Sequence, residues 1–231
     1  MATVLITGAN RGLGLEFCKQ YADEGWKVLA CCRVPQEATG LKNLAGRYPH
    51  VSILALDVAD LTQIEQLAAQ LHDTSIDVLI NNAGVYGDSH ERGFGLLDYP
   101  AWTKTLAVNV QAPVKMAELF LPHLKRGDKK LLVAISSLMG SITDNSSGGS
   151  IIYRSSKAAL NAVMKSLAID LKGQAVGVLI FHPGWVKTDM GGPNGLIEAT
   201  ESVAGMRKII AEFSPGQTGS FVKYDGTPLP W

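Results

Sequence analysis

With 231 residues, 46% of them hydrophobic and 18% charged, the chain has an ordinary soluble globular composition and enough length for a sizeable core. Lys plus Arg and Asp plus Glu both number 21, so the formal net charge is zero, with no electrostatic footprint for nucleic acid or an anionic membrane. Cys18, Cys31 and Cys32 lack CxxC or Cys/His ligand spacing, which argues against a disulfide scaffold or a metal site.

The opening MATVLITGAN has no basic n-region and too short an apolar run for a signal peptide. No stretch approaches the ~20 apolar residues of a membrane span. The expectation is a cytoplasmic protein without a membrane span.

VLI (4–6) reads as a first strand, followed by a glycine-rich turn and the helical LGLEFCKQYADEG (13–25). KVLACC (27–32), VSILAL (51–56) and DVLINN (77–82) read as strands, with the helical LTQIEQLAAQLHD (61–73) before the last of them. Residues 99–126 have helical periodicity, and Pro113 predicts a bend or break within them. KKLLVAISS (129–137), the helical YRSSKAALNAVMKSLAIDLKG (153–173), AVGVLIFHPG (175–184) and GSFVKY (219–224) continue the rhythm. Lys125, Arg126, Lys129 and Lys130 read as a solvated basic loop.

The strand-like runs are apolar throughout rather than alternating, which suits strands covered on both faces. Their alternation with helices predicts an α/β fold: one parallel sheet of about seven strands with helices on both faces. No repeat, low-complexity tract or linker interrupts residues 1–231, so a single domain is expected.

The turn TGANRGLG (7–14) has the spacing GxxxGxG. In such a sheet the first strand-to-helix turn is where a dinucleotide pyrophosphate binds, because backbone N–H groups and the helix N-terminus favour an anion. Alone the motif is not specific. LDV (56–58), NNAG (81–84), AISS (134–137) and HPGWVKTDM (182–190) fall at successive strand ends, and YRSSK (153–157) opens a helix. The carboxyl ends of the strands form the ligand crevice of an open α/β sheet, so these segments converge there.

In this set, TGxxxGxG, NNAG, a serine, YxxxK and PGxVxT in order, the chain resembles the short-chain dehydrogenase/reductase family along essentially its whole length. NRGLG, SLMGSITDN, YRSSKAALN and the ending DGTPLPW are similar to the C-factor-like or carbonyl-reductase-like branch. The resemblance implies a Rossmann-type doubly wound domain, NADP(H) as cofactor, and an aldehyde, ketone or alcohol as small-molecule substrate.

By the same resemblance Tyr153 is the general acid or base, Ser137 binds the substrate oxygen, and Asn109 holds a water linking Lys157 to solvent. A free tyrosine titrates near ~10, and lowering that by roughly 3 pH units requires about 4 kcal/mol in favour of the phenolate. A cation at ~5 Å in an effective dielectric of ~20 supplies about 3 kcal/mol. Lys157, on the same helix face, is therefore expected to draw Tyr153 down, helped by oxidised nicotinamide.

Ser136 and Ser141 are weaker serine candidates, and His182 is a weak candidate base. Tyr153 follows Ser137 by 16 residues, longer than the family usually shows, and the added length falls in TDNSSGGSII.

Gly8, Asn10, Arg11, Gly12, Leu13 and Gly14 would form the phosphate turn. Arg11 and Arg33 favour NADP, because arginines bind a 2′-phosphate with charge-assisted bonds where a carboxylate would repel it. The family pattern adds Asp57 and Val58 at the adenine, and Asn82, Ala83 and Gly84 at the ribose. It also places Pro183, Gly184, Val186 and Thr188 near the nicotinamide, where Tyr153 and Lys157 contribute as well.

A nucleotide-binding signalling or scaffold protein without turnover is the alternative. A hydrolase is disfavoured, because GxSxG is missing. Substrate specificity is expected from 86–98, 138–152 and 189–200, and the short GGPNGLIEA (191–199) suggests an open pocket. A homo-oligomer, dimer or tetramer, is implied through the helices containing NVQAPVKMAELF and YRSSKAALNAVMKSLA. The ending YDGTPLPW (224–231) is expected to be an ordered part of the fold or of its interface, where Leu229 and Trp231 would leave water.

Overall fold

A computed structural model describes residues 1–89 and 93–231. Seven strands form one sheet: β1 Thr3–Thr7, β2 Lys27–Cys32, β3 Val51–Ala55, β4 Val78–Asn81, β5 Leu131–Ile135, β6 Gly177–His182 and β7 Ser220–Lys223. Their order is β3-β2-β1-β4-β5-β6-β7, and each neighbouring pair is parallel. The chain winds outward from β1 through β3, then returns to β4 and winds the other way. This reversal puts the topological switch point between β1 and β4, where their carboxyl ends open a crevice.

The continuous apolar runs have a direct cause. Side chains alternate across a strand, so Leu5 enters one core while Val4 and Ile6 enter the other. Likewise Leu132 and Ala134 face opposite to Leu131, Val133 and Ile135. The first core is covered by α3 Leu61–Gln70, α5 Ala112–Arg126 and α6 Ile151–Asp170. The second is covered by α1 Gly12–Asp23, α2 Thr39–Arg47 and α7 Ala199–Ala211. The helices α2 and α7 go beyond the expected elements. Phe120 on α5 is fully buried in the first core, and truncating such a side chain costs about 3–5 kcal/mol.

The predicted break at Pro113 takes another form. The helix α4 Tyr99–Leu106 passes through a π-helical segment, Ala107–Gln111, straight into α5, where Pro113 stands in the first turn. A proline ring clashes with the carbonyl four residues back, here that of Asn109. Widening the preceding turn relieves the clash without ending the helix.

Three of the basic residues are tied to backbone oxygens or a side chain. Arg126 donates to the carbonyls of His72 and Thr74, Lys129 to that of Ala211, and Lys125 to Gln174 Oε1.

The free edge of β7 is covered by the chain's own ending. Lys223 N–H donates to Thr227 (2.8 Å), Leu229 N–H donates to Phe221 (3.0 Å), and Val222 pairs antiparallel with Pro228. Pro228 and Pro230 then leave an outer edge poor in donors, which resists further strand addition. The ending is ordered as expected, but Trp231 is 42% exposed. One ring face lies against Phe221 at 5.6 Å between centroids, and Lys165 Nζ lies 5.5 Å from the ring centre.

Among the described residues no helix is long and apolar enough to cross a membrane, and no His/Cys/Asp/Glu cluster could hold a metal.

Candidate active site

The glycine turn leaves β1 at the switch point. Gly8 has φ +64°, and a Cβ there would stand 2.8 Å from Ala83 Cα. A Cβ on Gly14 would fall 2.2 Å from the Gly8 carbonyl oxygen and 2.6 Å from Asn82 Nδ2. These positions require glycine because backbone passes against backbone.

The end of β4 braces the turn. Asn82 Nδ2 donates to the carbonyls of Thr7 (2.9 Å) and Gly8 (3.1 Å), and Thr7 Oγ1 accepts from the N–H groups of Asn82 and Ala83 at 3.0 Å each. Asn82 thus shapes the turn rather than simply lining a ribose site.

Arg11, in the N-cap position of α1, makes no side-chain capping bond, and no acidic residue sits in the first turn of the helix. Its N–H groups and positive dipole end can therefore meet an anion. Thr188 lies across the crevice, 3.4 Å from where a Cβ of Gly12 would stand. Asn10 is exposed and Leu13 is half-buried against the second core.

The two arginines differ. Arg11 Nη1 pairs with Asp189 Oδ2 at 3.1 Å, whereas Arg33, exposed just beyond β2, has no ion-pair partner among the described residues. Asp57 lies half-buried past β3, its Oδ1 accepting from Ala59 N–H (3.0 Å), while the Val58 side chain belongs to the first core.

On the other side of the crevice stand Ser137, Tyr153 and Lys157, all buried. Ser137 ends the β5 extension, its Oγ accepting from Met139 N–H at 3.1 Å and lying near enough to the Tyr153 phenol to oppose the rise in its pKa. Lys157 sits one turn after Tyr153 on α6, its Nζ donating to the Ile135 carbonyl at 2.8 Å and lying 5.6 Å from the Tyr153 ring centre. Gly140 lets α6 approach, since a Cβ there would lie 2.7 Å from the Lys157 carbonyl carbon.

The side chain of Asn109 faces the same place from the π segment. Its Oδ1 accepts from Val85 N–H and its Nδ2 donates to the Val85 carbonyl and to Ser156 Oγ, each at 2.9 Å. Asn109 is therefore a clamp on the segment after β4. A Cβ on Gly84 would stand 3.4 Å from Asn109 Oδ1 and 3.7 Å from Lys157 Nζ, so NNAG ends directly over the lysine.

The electrostatics correct one expectation. The chain's own groups alone do not draw Tyr153 down: burial pushes its phenol up to about 12, with Ser137 opposing and Tyr86 adding to the rise. Burial likewise lowers Lys157 to about 8. Desolvation disfavours both the phenolate and the ammonium of buried groups, and here it outweighs the attraction between them. At neutral pH the tyrosine keeps its proton and the lysine is largely charged.

The lesser candidates take other roles. Ser136 Oγ donates to Asn161 Oδ1 at 2.6 Å inside the fold. Ser141 Oγ donates to the Trp231 carbonyl (3.2 Å) and accepts from Asp144 N–H (3.0 Å). Burial, and then Lys223, holds His182 down to about 4, so it is neutral.

Beyond β6 the stretch holding Pro183, Gly184, Val186 and Thr188 is anchored by Ser202 Oγ donating to Pro183 O (2.5 Å) and by pairing of Val186 with Ile197. Ile142, Trp185, Met190 and Leu196 on the flanking loops remain exposed. Residues 90–92 of the 86–98 stretch lie outside the described residues. Tyr86, Gly87 and Asp88 contact the start of α6 and were not singled out by sequence; no local pattern announces contacts 64 and 65 residues away.

Residues 2–197 match the family model of the short chain dehydrogenases. The C-signal protein of Myxococcus xanthus is 40% identical over 68% of this chain and 93% of its own length. The NADPH-bound carbonyl reductase from chicken fatty liver superposes with TM-score 0.92 at 32% identity, covering 100% of this chain and 99% of that one. The carbonyl reductase Sniffer of D. melanogaster also gives 0.92, at 34% identity and full coverage of both chains. A Rossmann-type sheet, a glycine turn braced from β4 and a buried Ser-Tyr-Lys group thus coincide with similarity in sequence and fold: the chain belongs to the short-chain dehydrogenase family, in its carbonyl-reductase-like branch.

Proposed function

We propose that the chain is an NADPH-dependent carbonyl reductase that converts an aldehyde or ketone to an alcohol, or runs the reverse reaction. The observation that carries this reading is Tyr153: a buried, proton-bearing phenol beside the buried Ser137 and one helical turn from Lys157, whose Nζ lies 5.6 Å from its ring centre.

The turn fits a dinucleotide. Gly8, Gly12 and Gly14 keep its backbone clear of side chains, and the uncapped start of α1 suits a pyrophosphate. Asn10, Arg11 and Leu13 complete that turn. Arg33 is the better-placed group for a 2′-phosphate, because Arg11 already has Asp189. Asp57, Val58, Asn82, Ala83 and Gly84 would face the adenosine half, and Pro183, Gly184, Val186 and Thr188 the nicotinamide half. Bound NADPH supplies the hydride.

The chain's own groups supply the proton. Ser137 hydrogen-bonds the carbonyl oxygen and fixes its distance from Tyr153. Tyr153 donates its proton to that oxygen. The Lys157 ammonium stabilises the phenolate left behind, and Asn109 fixes the backbone beside it. Burial keeps Tyr153 protonated at neutral pH, the form that reduction requires, and Lys157, lowered only to about 8, is still largely charged there.

This reading treats residues 1–231 as one working unit located in the cytosol. A homodimer or homotetramer through α5 and α6 belongs to the same reading, in which Leu119, Leu121, Val163 and Leu167, half-buried against the chain's own core, would be covered further. A signalling or scaffold role without turnover is disfavoured by the complete proton-transfer group. The test is NADPH oxidation across a panel of aldehydes, ketones and quinones. Turnover with at least one class, faster than with NADH, is expected; binding of NADPH without turnover of any would overturn the reading.

A further inference from the structure

The helix carrying Tyr153 has no local cap. Ser150, in the N-cap position, is left-handed (φ +44°, ψ +47°), and its side chain makes no capping bond. The free N–H groups of the first turn are met from a distant segment instead. Ile152 N–H donates to Asp88 Oδ1 at 3.2 Å and Tyr153 N–H donates to Asp88 Oδ2 at 2.7 Å. A carboxylate accepting two N–H bonds at the positive end of a helix is a strong, charge-assisted cap.

Its two neighbours serve the same junction. The Tyr86 ring lies 4.7 Å from that of Tyr153, tilted by 32°, and its hydroxyl shares a 2.7 Å hydrogen bond with Ser150 Oγ. Gly87 has φ +80°, and a Cβ there would stand 2.2 Å from Thr105 Oγ1 and 2.6 Å from Ile152 Cγ2. Only glycine lets the segment run between α4 and α6 at this depth. The register is fixed two residues before Gly87, where Asn109 grips both backbone groups of Val85. Residues 82–88 therefore link the brace of the glycine turn, at Asn82, to the first turn of the helix bearing the proton donor.

We propose that Asp88, supported by Tyr86 and Gly87, is a positioning residue for proton transfer: by capping α6 from the β4 side, it holds the Tyr153 hydroxyl against Ser137. The proposal rests on the reading of Tyr153 as proton donor. Misplacing a reacting group by about 1 Å can cost around 10²-fold in rate.

The experiment compares Asp88→Ala, Asp88→Asn and Tyr153→Phe with the unchanged protein, measuring kcat, substrate KM, NADPH affinity by fluorescence, and melting temperature. Asp88→Ala is expected to lower kcat about 10–100-fold, with NADPH affinity within about twofold. Asp88→Asn, whose amide oxygen can still accept one of the two bonds, should recover most of that loss. Asp88→Ala with unchanged kcat overturns the proposal. So does a fall in kcat matched by equal loss of NADPH affinity and melting temperature, or a failure of Asp88→Asn to outperform Asp88→Ala. Active Tyr153→Phe would remove the reading of the site itself, whereas inactive Tyr153→Phe with unimpaired Asp88→Ala would remove the Asp88 proposal alone.

Discussion

The two sides of the crevice are built by different means. On the dinucleotide side, shape comes from backbone packed on backbone: Gly8 against Ala83, Gly14 against Gly8, with Asn82 bonding across both. On the substrate side, position comes from side chains reaching across the sequence. Asp88 caps α6, Asn109 grips Val85, and the Trp231 carbonyl accepts from Ser141 Oγ and from Thr143 N–H. Gly8 and Gly14 on the first side leave no room for a Cβ, whereas the second side is held by a few long-range side-chain anchors.

Five substitutions or conditions sharpen this contrast. The largest effect is expected from Lys157→Met, which removes the cation next to Tyr153. Reduction should fall about 10³-fold, measured as steady-state NADPH oxidation, with weaker NADPH binding by fluorescence titration. Gly14→Ala should act on the other side alone. The added Cβ must displace backbone 2.2 Å away, and overpacking of this kind costs about 1–3 kcal/mol, up to around a hundredfold in NADPH affinity. Unchanged affinity would mean that the turn yields more readily than its geometry implies.

Next in size is Arg33→Asp. A charge-assisted bond contributes about 1.5–3 kcal/mol, or roughly tenfold to a hundredfold, and that preference for NADPH over NADH should be lost or reversed. Arg11→Ala should do less, because Arg11 is already shared with Asp189. The smallest effect is the pH response of the unaltered enzyme. Lys157 has a folded value of about 8, so its charge, and reduction with it, should decline as pH rises through that region, about tenfold between pH 7 and 9. A flat profile measured by stopped-flow NADPH oxidation would show that the ammonium is not needed in charged form.

Legibility in the sequence followed the same division. The sheet could be read because strands buried on both faces become uninterrupted apolar runs, as in VLI and LLVAI. Gly8, Gly14 and the Tyr153–Lys157 pair could be read because their constraints lie within one turn or one helix. The π segment before Pro113 could not, since a proline specifies that the helix must adjust and not how. The direction of the Tyr153 shift was missed because spacing reveals the nearby cation, whereas desolvation depends on what the whole fold places around it. The role of Asp88 was invisible for a related reason. Its partners, Ile152 and Tyr153, are brought to it only by tertiary structure. Trp231, packed by Phe221 and lying under Lys165 Nζ, keeps 42% of its surface exposed, because the sheet edge offers it only these neighbours within one chain.

The central claim is that a protonated Tyr153 delivers the proton in carbonyl reduction at a site where cofactor binding is independently built. It is tested most directly by Tyr153→Phe, which removes one hydroxyl and keeps the ring. NADPH affinity by fluorescence titration and carbonyl-dependent NADPH oxidation should be measured on the same preparation. The account predicts affinity within about twofold of the unaltered protein and turnover reduced at least about 10³-fold. Turnover near that of the unaltered protein would contradict it.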